Sequence, residues 1–130
     1  MKILQPTGWP RPKGYSNGVS AKGRMIFTAG IVGWDANENF PDHRLHGQFA
    51  QALRNTLAIL AEDGAGPEHV VRMTWYITDK KEYLARLPEI GEVYRSVMGR
   101  HFPAMTMVQV AALIEDRAKV EIEATAVLEG

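Results

Sequence analysis

Two stretches near the end of the chain alternate apolar and polar residues with a period of two, the signature of half-buried strands. They run from Ala104 to Leu113 and from Lys119 to Leu128. In the second, Val120, Ile122, Ala124, Ala126 and Leu128 point one way, while Lys119, Glu121, Glu123 and Thr125 point the other. One face therefore belongs to a core and the other is polar. The link from Ile114 to Ala118 carries Glu115, Asp116 and Arg117 and is short enough for a hairpin. The two runs are expected to pair antiparallel, with Met105 and Glu121 in one ladder. On periodicity alone, Glu121 and Glu123 read as the solvated side of a one-sided sheet.

The rest of the chain supplies what such a sheet needs to cover one face. Gln5 to Gly14 holds Pro6, Pro10 and Pro12 with Gly8 and Gly14, which describes an extended arm. The runs Gly18 to Lys22 and Met25 to Val32 flank Lys22-Gly23-Arg24 and predict a first hairpin. Gly33 to Pro41 reads as loop. From Asp42 as N-cap, Leu45, Phe49, Leu53, Leu57 and Leu60 recur at helical spacing, ending at Gly64 and Gly66. Val70 to Thr78 is rich in branched and aromatic residues, as strands are. A polar connection with a helical turn follows. Pro88 then opens a second helix with Ile90, Val93, Tyr94, Val97 and Met98 in one stripe and Gly99 at its end.

The order ββαβαββ predicts an α+β fold, a mixed sheet with both single-striped helices on one face. If Val71, Met73, Trp75 and Ile77 face the helices, Arg72, Thr74 and Tyr76 lie on the bare face. A half-apolar bare face invites closure by other copies of the chain, so a homo-oligomer is expected.

Composition narrows the function. The 130 residues fit one domain, 1–130, with room for a two-layer core. Fifteen basic and fifteen acidic residues cancel, leaving no field to hold a polyanion, so neither nucleic acid nor an anionic membrane is an expected partner. The lack of cysteine removes thiolate chemistry and fits a reducing compartment. With no apolar leader and no long apolar run, the cytoplasm is the expected location.

Few residues suggest chemistry by pattern. Asp35, Asn37 and Asn39 open like a calcium loop, but Phe40 and His46 stand where its glycine and final glutamate belong. His43 and His46 lack a third ligand, and His69 and His101 adjoin element ends as caps would. No metal and no cofactor is expected. There is no phosphate-cradling loop or nucleophile elbow.

Taken together, Tyr15-Ser16-Asn17-Gly18, Phe27-Thr28-Ala29-Gly30, Leu53-Arg54-Asn55, Phe102-Pro103-Ala104, Val108 to Ala111 and Val120-Glu121-Ile122-Glu123-Ala124 resemble the RidA family, also called YjgF. The similarity spans Tyr15 to Val127. It implies a fold similar to the bacterial chorismate mutase trimer: a homotrimer whose sheets face inward, with a small-molecule cleft between neighbouring subunits. It also implies an enamine/imine deaminase, a hydrolase that converts such intermediates to a 2-keto acid and ammonia. Carried over by position, Glu121 takes the place of the glutamate associated with the attacking water. Tyr15 and Gly30 take substrate-binding places, and Met105 stands where the family has its substrate-binding arginine.

That last departure matters, because a thioether cannot pair with a carboxylate as a guanidinium does. Ala29, Ile31 and Gly91 also replace polar residues usual in the family. Losing a charge-assisted bond of roughly 1.5–3 kcal/mol slows a dependent step by about 10- to 150-fold. Weak or absent activity on 2-imino acids is expected, with a deaminase of altered substrate as one reading. The other is a non-catalytic metabolite-binding or accessory protein on the same trimer. Arg11, Arg72, Arg100 and Arg117 are available as substitute cations, and Arg11 in the proline-rich arm could reach a neighbouring cleft. Some family members have been described as ribonucleases or translation inhibitors. The balanced charge and missing basic stripe oppose that here.

Overall fold

The computed structural model describes residues 1–129. Its main sheet is built from β3 (Arg24–Phe27), β4 (Ile31–Val32), β5 (Val70–Ile77), β6 (Ala104–Gln109) and β7 (Val120–Leu128), in the order β3-β7-β5-β6 with β4 also pairing β7. Two short strands, β1 (Lys2–Leu4) and β2 (Gly18–Ser20), form a separate antiparallel pair. The helices are α1 (Leu45–Ala61), the short α2 (Lys80–Ala85) and α3 (Leu87–Met98). The architecture is α+β, a mixed sheet covered by helices on one face.

Both expected hairpins are corrected. β6 does not pair with β7, because β5 lies between them, parallel to β6 and antiparallel to β7. The run from β5 through α2 and α3 is long enough to cross over and return β6 parallel to β5, which a tight turn cannot do. Strands sit about 4.8 Å apart, so the segment after β6 has only to step over one strand to reach β7. β6 and β7 are thus antiparallel to each other, as expected, but not neighbours. The first hairpin is absent too. β2 pairs with β1, and β3 pairs with β7 from Arg24↔Leu128 to Phe27↔Thr125.

The predicted faces of β5 and β7 hold, with one shift. Met73, Trp75 and Ile77 are buried under the helices while Arg72, Thr74 and Tyr76 lie opposite. A register shift between Val70 and Arg72 lets Val70, not Val71, enter the core. On β7, Val120, Ile122, Ala124 and Ala126 are buried as expected.

Helix α1 contributes Leu45, Phe49, Ala52, Leu53 and Leu60 to the core, and α3 contributes Ile90, Tyr94 and Met98. The start of α1 differs from expectation. Arg44 is its N-cap and supplies no side-chain cap, while the Asp42 carboxylate accepts from the Arg44 backbone N–H at 2.8 Å. The Arg44 guanidinium first, and then that backbone contact, hold the Asp42 carboxyl well below the usual range. The α1 and α3 ends follow the sequence: Gly64 and Gly99 have φ of 83° and 68°, values that favour glycine. α2 is the helical turn in the polar connection, capped by Asp79 Oδ1 accepting from Glu82 N–H at 3.1 Å.

The centre of the core is aromatic. Phe49 packs 4.8 Å from Trp75 at 59°, and Trp75 lies 5.9 Å from Tyr94. Among the described residues no helix is long and apolar enough to cross a membrane. Phe49 is fully buried, and Phe49→Ala is expected to lower the free energy of unfolding by about 3–5 kcal/mol in urea titrations. A loss under about 1 kcal/mol would show that the core does not centre on this ring.

Candidate functional site

The sheet separates the four sequence-derived site residues into two pairs. Met105 is opposite Met73 and Met107 opposite Trp75, so both methionines share the helix side and pack on the core. Glu121 is opposite Tyr76 and Glu123 opposite Thr74, on the open side. Met105 and Glu121 thus do not share the ladder expected from the sequence, and they lie on opposite faces of the sheet.

Met105 and Tyr15 meet in a cavity of about 500 Å³ between β6, α3 and the N-terminal arm, together with Trp75, Tyr94, Phe102 and Met107. The arm is held there by its neighbour Ser16, whose N–H donates to Pro103 O at 3.0 Å and whose hydroxyl donates to Phe102 O at 2.5 Å. Ser16 thereby forms a parallel bridge with Ala104 at the start of β6. Gln5 tightens the arm itself, its Nε2 donating to Trp9 O and Pro10 O. Tyr15 remains 41% exposed, so its phenol is reachable.

The aromatic wall is rigid. Tyr94 stacks on Phe102 at 5.5 Å and 13°, and its hydroxyl donates to His101 O at 2.5 Å. The His101 ring contacts Val70 O at 2.6 Å through Nε2, and His69 Nδ1 accepts from Gly66 N–H at 2.9 Å. Both histidines serve element ends, as their positions suggested. Burial pushes the Tyr94 and Tyr83 phenols up.

On the open side, the two glutamates differ. Glu123 Oε1 accepts from Tyr76 Oη at 2.8 Å. This bond, with desolvation and the charges of Glu123 and Glu121, raises the Tyr76 phenol. Glu121 has no hydrogen-bond partner among the described residues and is half-buried. Gly30 lies against it: a Cβ built on Gly30 would stand 2.4 Å from Glu121 Oε2. A side chain at position 30 would therefore displace the carboxylate from this position. Around this polar centre Met25, Phe27 and Val108 are 57%, 66% and 41% exposed, an apolar border on the same face.

The other sequence candidates are also placed. Among the described residues no cluster of three or more His, Asp or Glu is arranged to hold a metal. Asp35 Oδ1 accepts from the N–H groups of Asn37 and Asn39, closing a turn. Arg11 and Arg100 line a separate cavity of about 300 Å³ that shares only Tyr15 and Phe102 with the first. Arg72 is on the open face, and Arg117 lies over the Phe40 ring at 5.4 Å. The cation that does line the Met105 cavity from a helix is Arg95, which sequence reasoning missed. Its signal was present: Gly91 and Arg95 are four apart on the second helix, so an arginine lies over a residue without a side chain.

These elements and pairings are those of a known class of protein. The sequence model described as Endoribonuclease L-PSP matches residues 10–128. A RutC family protein of Synechocystis is 34% identical over 131 residues, covering 98% of this chain and 97% of that one. TdcF of Escherichia coli, named provisionally as a reactive intermediate deaminase, is 32% identical over 130 residues, covering 97% and 96% of the two chains. Its crystal structure with bound serine superposes with a TM-score of 0.70 over 99% of this chain and all of that one, 100%. YyfB of Yersinia pestis, a Rid family protein, superposes with a TM-score of 0.86 at 31% identity, covering 98% of each chain. The chain belongs to this family, the RidA or YjgF family, and has its chorismate mutase-like fold.

The buried phenols give a pH test. With folded values raised, their contribution to stability is complete below the ordinary tyrosine value of about 10 and is lost as pH rises toward the raised values. The urea midpoint is expected to fall above about pH 10, less steeply in Tyr94→Phe. Equal slopes in the two proteins would show that Tyr94 is not the group responsible.

Proposed function

We propose that this chain is a RidA-type small-molecule protein that acts as a homotrimer in the cytoplasm, with its ligand cleft completed between copies. The reading is carried by Glu121, the carboxylate that no group among the described residues occupies while its neighbour Glu123 is taken by Tyr76. Glu121 with Gly30 on the open face is one half of the cleft. Tyr15 with Met105 on the helix side, at the edge strand, is the other. One chain holds its halves on opposite sides of its own sheet, so a copy docked by the apolar border of Met25, Phe27 and Val108 supplies the missing half. The family and the TdcF relative support small-molecule chemistry of the reactive-intermediate type.

In the proposed reaction, Glu121 accepts a proton from a bound water as its oxygen adds to the imine carbon. The proton passes from Glu121 to the imine nitrogen, giving a carbinolamine; its hydroxyl proton then moves through Glu121 to the amine as the carbon–nitrogen bond breaks, so that ammonia leaves and a carbonyl remains. Tyr15 donates a hydrogen bond to the substrate, and Gly30 keeps space for it beside the carboxylate. Met105 offers no charge, so a short 2-imino acid is held poorly and the natural substrate differs. A second reading, non-catalytic binding of a metabolite, is favoured by the paired thioethers Met105 and Met107 in the cavity wall.

Hydrolysis of 2-iminobutanoate, generated in situ by a threonine dehydratase, separates these. The unmodified protein is expected at the buffer rate, Met105→Arg about tenfold or more above it, and Met105→Arg with Glu121→Gln back at buffer. Acceleration by the unmodified protein would refute this account of Met105. No gain in Met105→Arg would favour the non-catalytic reading.

A further inference from the structure

The cavity shared by Tyr15 and Met105 has a cation in its wall, and the cation comes from a helix instead of the sheet. Arg95 stands one turn after Gly91 on the same face of α3. Its guanidinium is folded over that glycine: a Cβ built on Gly91 would lie 3.2 Å from Nη1, 3.9 Å from Cζ and 4.0 Å from Nη2. The group occupies the space that a side chain at position 91 would claim. Both residues line the cavity. Among the described residues, Arg95 has no side-chain hydrogen bond or ion pair.

The surrounding wall is of another kind. Trp75, Tyr94, Phe102, Met105 and Met107 give the cavity aromatic and thioether surfaces. Trp75 is only 4% exposed, and its Nε1–H is without a partner among the described residues. A planar guanidinium with free donors recognises carboxylates by forked hydrogen bonds, and Arg95 is exposed, so its donors are open to a ligand. Lys13 also lines the cavity, from the exposed arm, as a hydrated point charge on a flexible stem.

We propose that Arg95 is the anion-binding residue of this cavity, and that the ligand it selects is a carboxylate carried on a bulky apolar or aromatic body. The proposal rests on the cavity being half of the ligand cleft, and it specifies the ligand class. With the guanidinium on the helix wall and Met105 on the strand wall, a carboxylate at Arg95 leaves an apolar space toward the methionines. A two- to four-carbon acid does not fill about 500 Å³; an aryl group attached through a short chain covers the thioether and ring surfaces.

The test is calorimetric titration of the intact protein with 3-phenylpropanoate, with 3-phenylpropanol as the same body without charge, and with propanoate as the same charge without the ring. The acid is expected to bind at least about tenfold tighter than either. Arg95→Gln should erase the advantage of acid over alcohol while leaving the alcohol's affinity in place, and Lys13→Gln should retain it. Gly91→Leu, which competes with the guanidinium for its space, should shrink the advantage. Leucine favours helix over glycine, so this loss does not come from unfolding, and the thermal midpoint of each variant checks the point. Equal binding of acid and alcohol, no binding of either, or an advantage that survives Arg95→Gln would overturn the proposal. These titrations need no turnover. The Met105→Arg hydrolysis assay reads Glu121, so a failure of catalysis and a failure of anion recognition are seen separately.

Discussion

Strand β5 is hydrogen-bonded along both edges, and the positions of the site residues follow from that. Its parallel partner β6 and antiparallel partner β7 each copy its alternation, so every residue opposite Met73 or Trp75 faces the helices and every residue opposite Thr74 or Tyr76 faces away. The register shift between Val70 and Arg72 brings Val70 onto the helix side as well. A slip of one residue in either pairing would exchange a thioether for a hydroxyl, or a carboxylate for a core aliphatic group, across the whole ladder. Burial of Val120, Ile122 and Ala124 prevents the slip on one side, and the packing of Met105 and Met107 against the core resists it on the other.

This alternation also decides what one copy of the chain can do alone. Glu121 and Gly30 adjoin each other as one unit, the carboxylate lying in the space that a side chain at position 30 would take. Tyr15 and Met105 are a second unit, assembled by the docking of Ser16 on the start of β6. The two cannot meet through the thickness of their own sheet. A strand face that is polar at its centre and apolar at its border is suited to a facing copy, which would bring unlike halves together while covering Met25 and Phe27.

Much of the fold was readable from local pattern. The stripe on α1, the stripe on α3 with its proline start and glycine stop, and the two faces of β5 and β7 appear as periodicity predicts. Pairing was read less well. A five-residue link between two alternating runs looks like a hairpin, but the strand inserted between β6 and β7 comes from thirty or more residues earlier, and no local signal records it. The first hairpin failed for a similar reason: β2 found β1, and the edge of β7 was free to take β3. In the site, Tyr15, Gly30, Met105 and Glu121 came from a resemblance carried position by position, and the geometry added Arg95, whose relation to Gly91 is local but whose relation to Met105 is not.

The sequence by itself determined the α+β class, the helices, the alternation along each strand and the family, because each of these depends on spacing within one element or on the order of blocks along the chain. Only the tertiary structure decided that β5 separates β6 from β7, that Met105 and Glu121 lie on opposite faces, that Glu121 and not Glu123 is left without a partner among the described residues, and that Arg95 shares a cavity with Met105. These depend on which distant strand edges meet, and that choice is made by the combined burial of the whole core, to which no single segment holds the key.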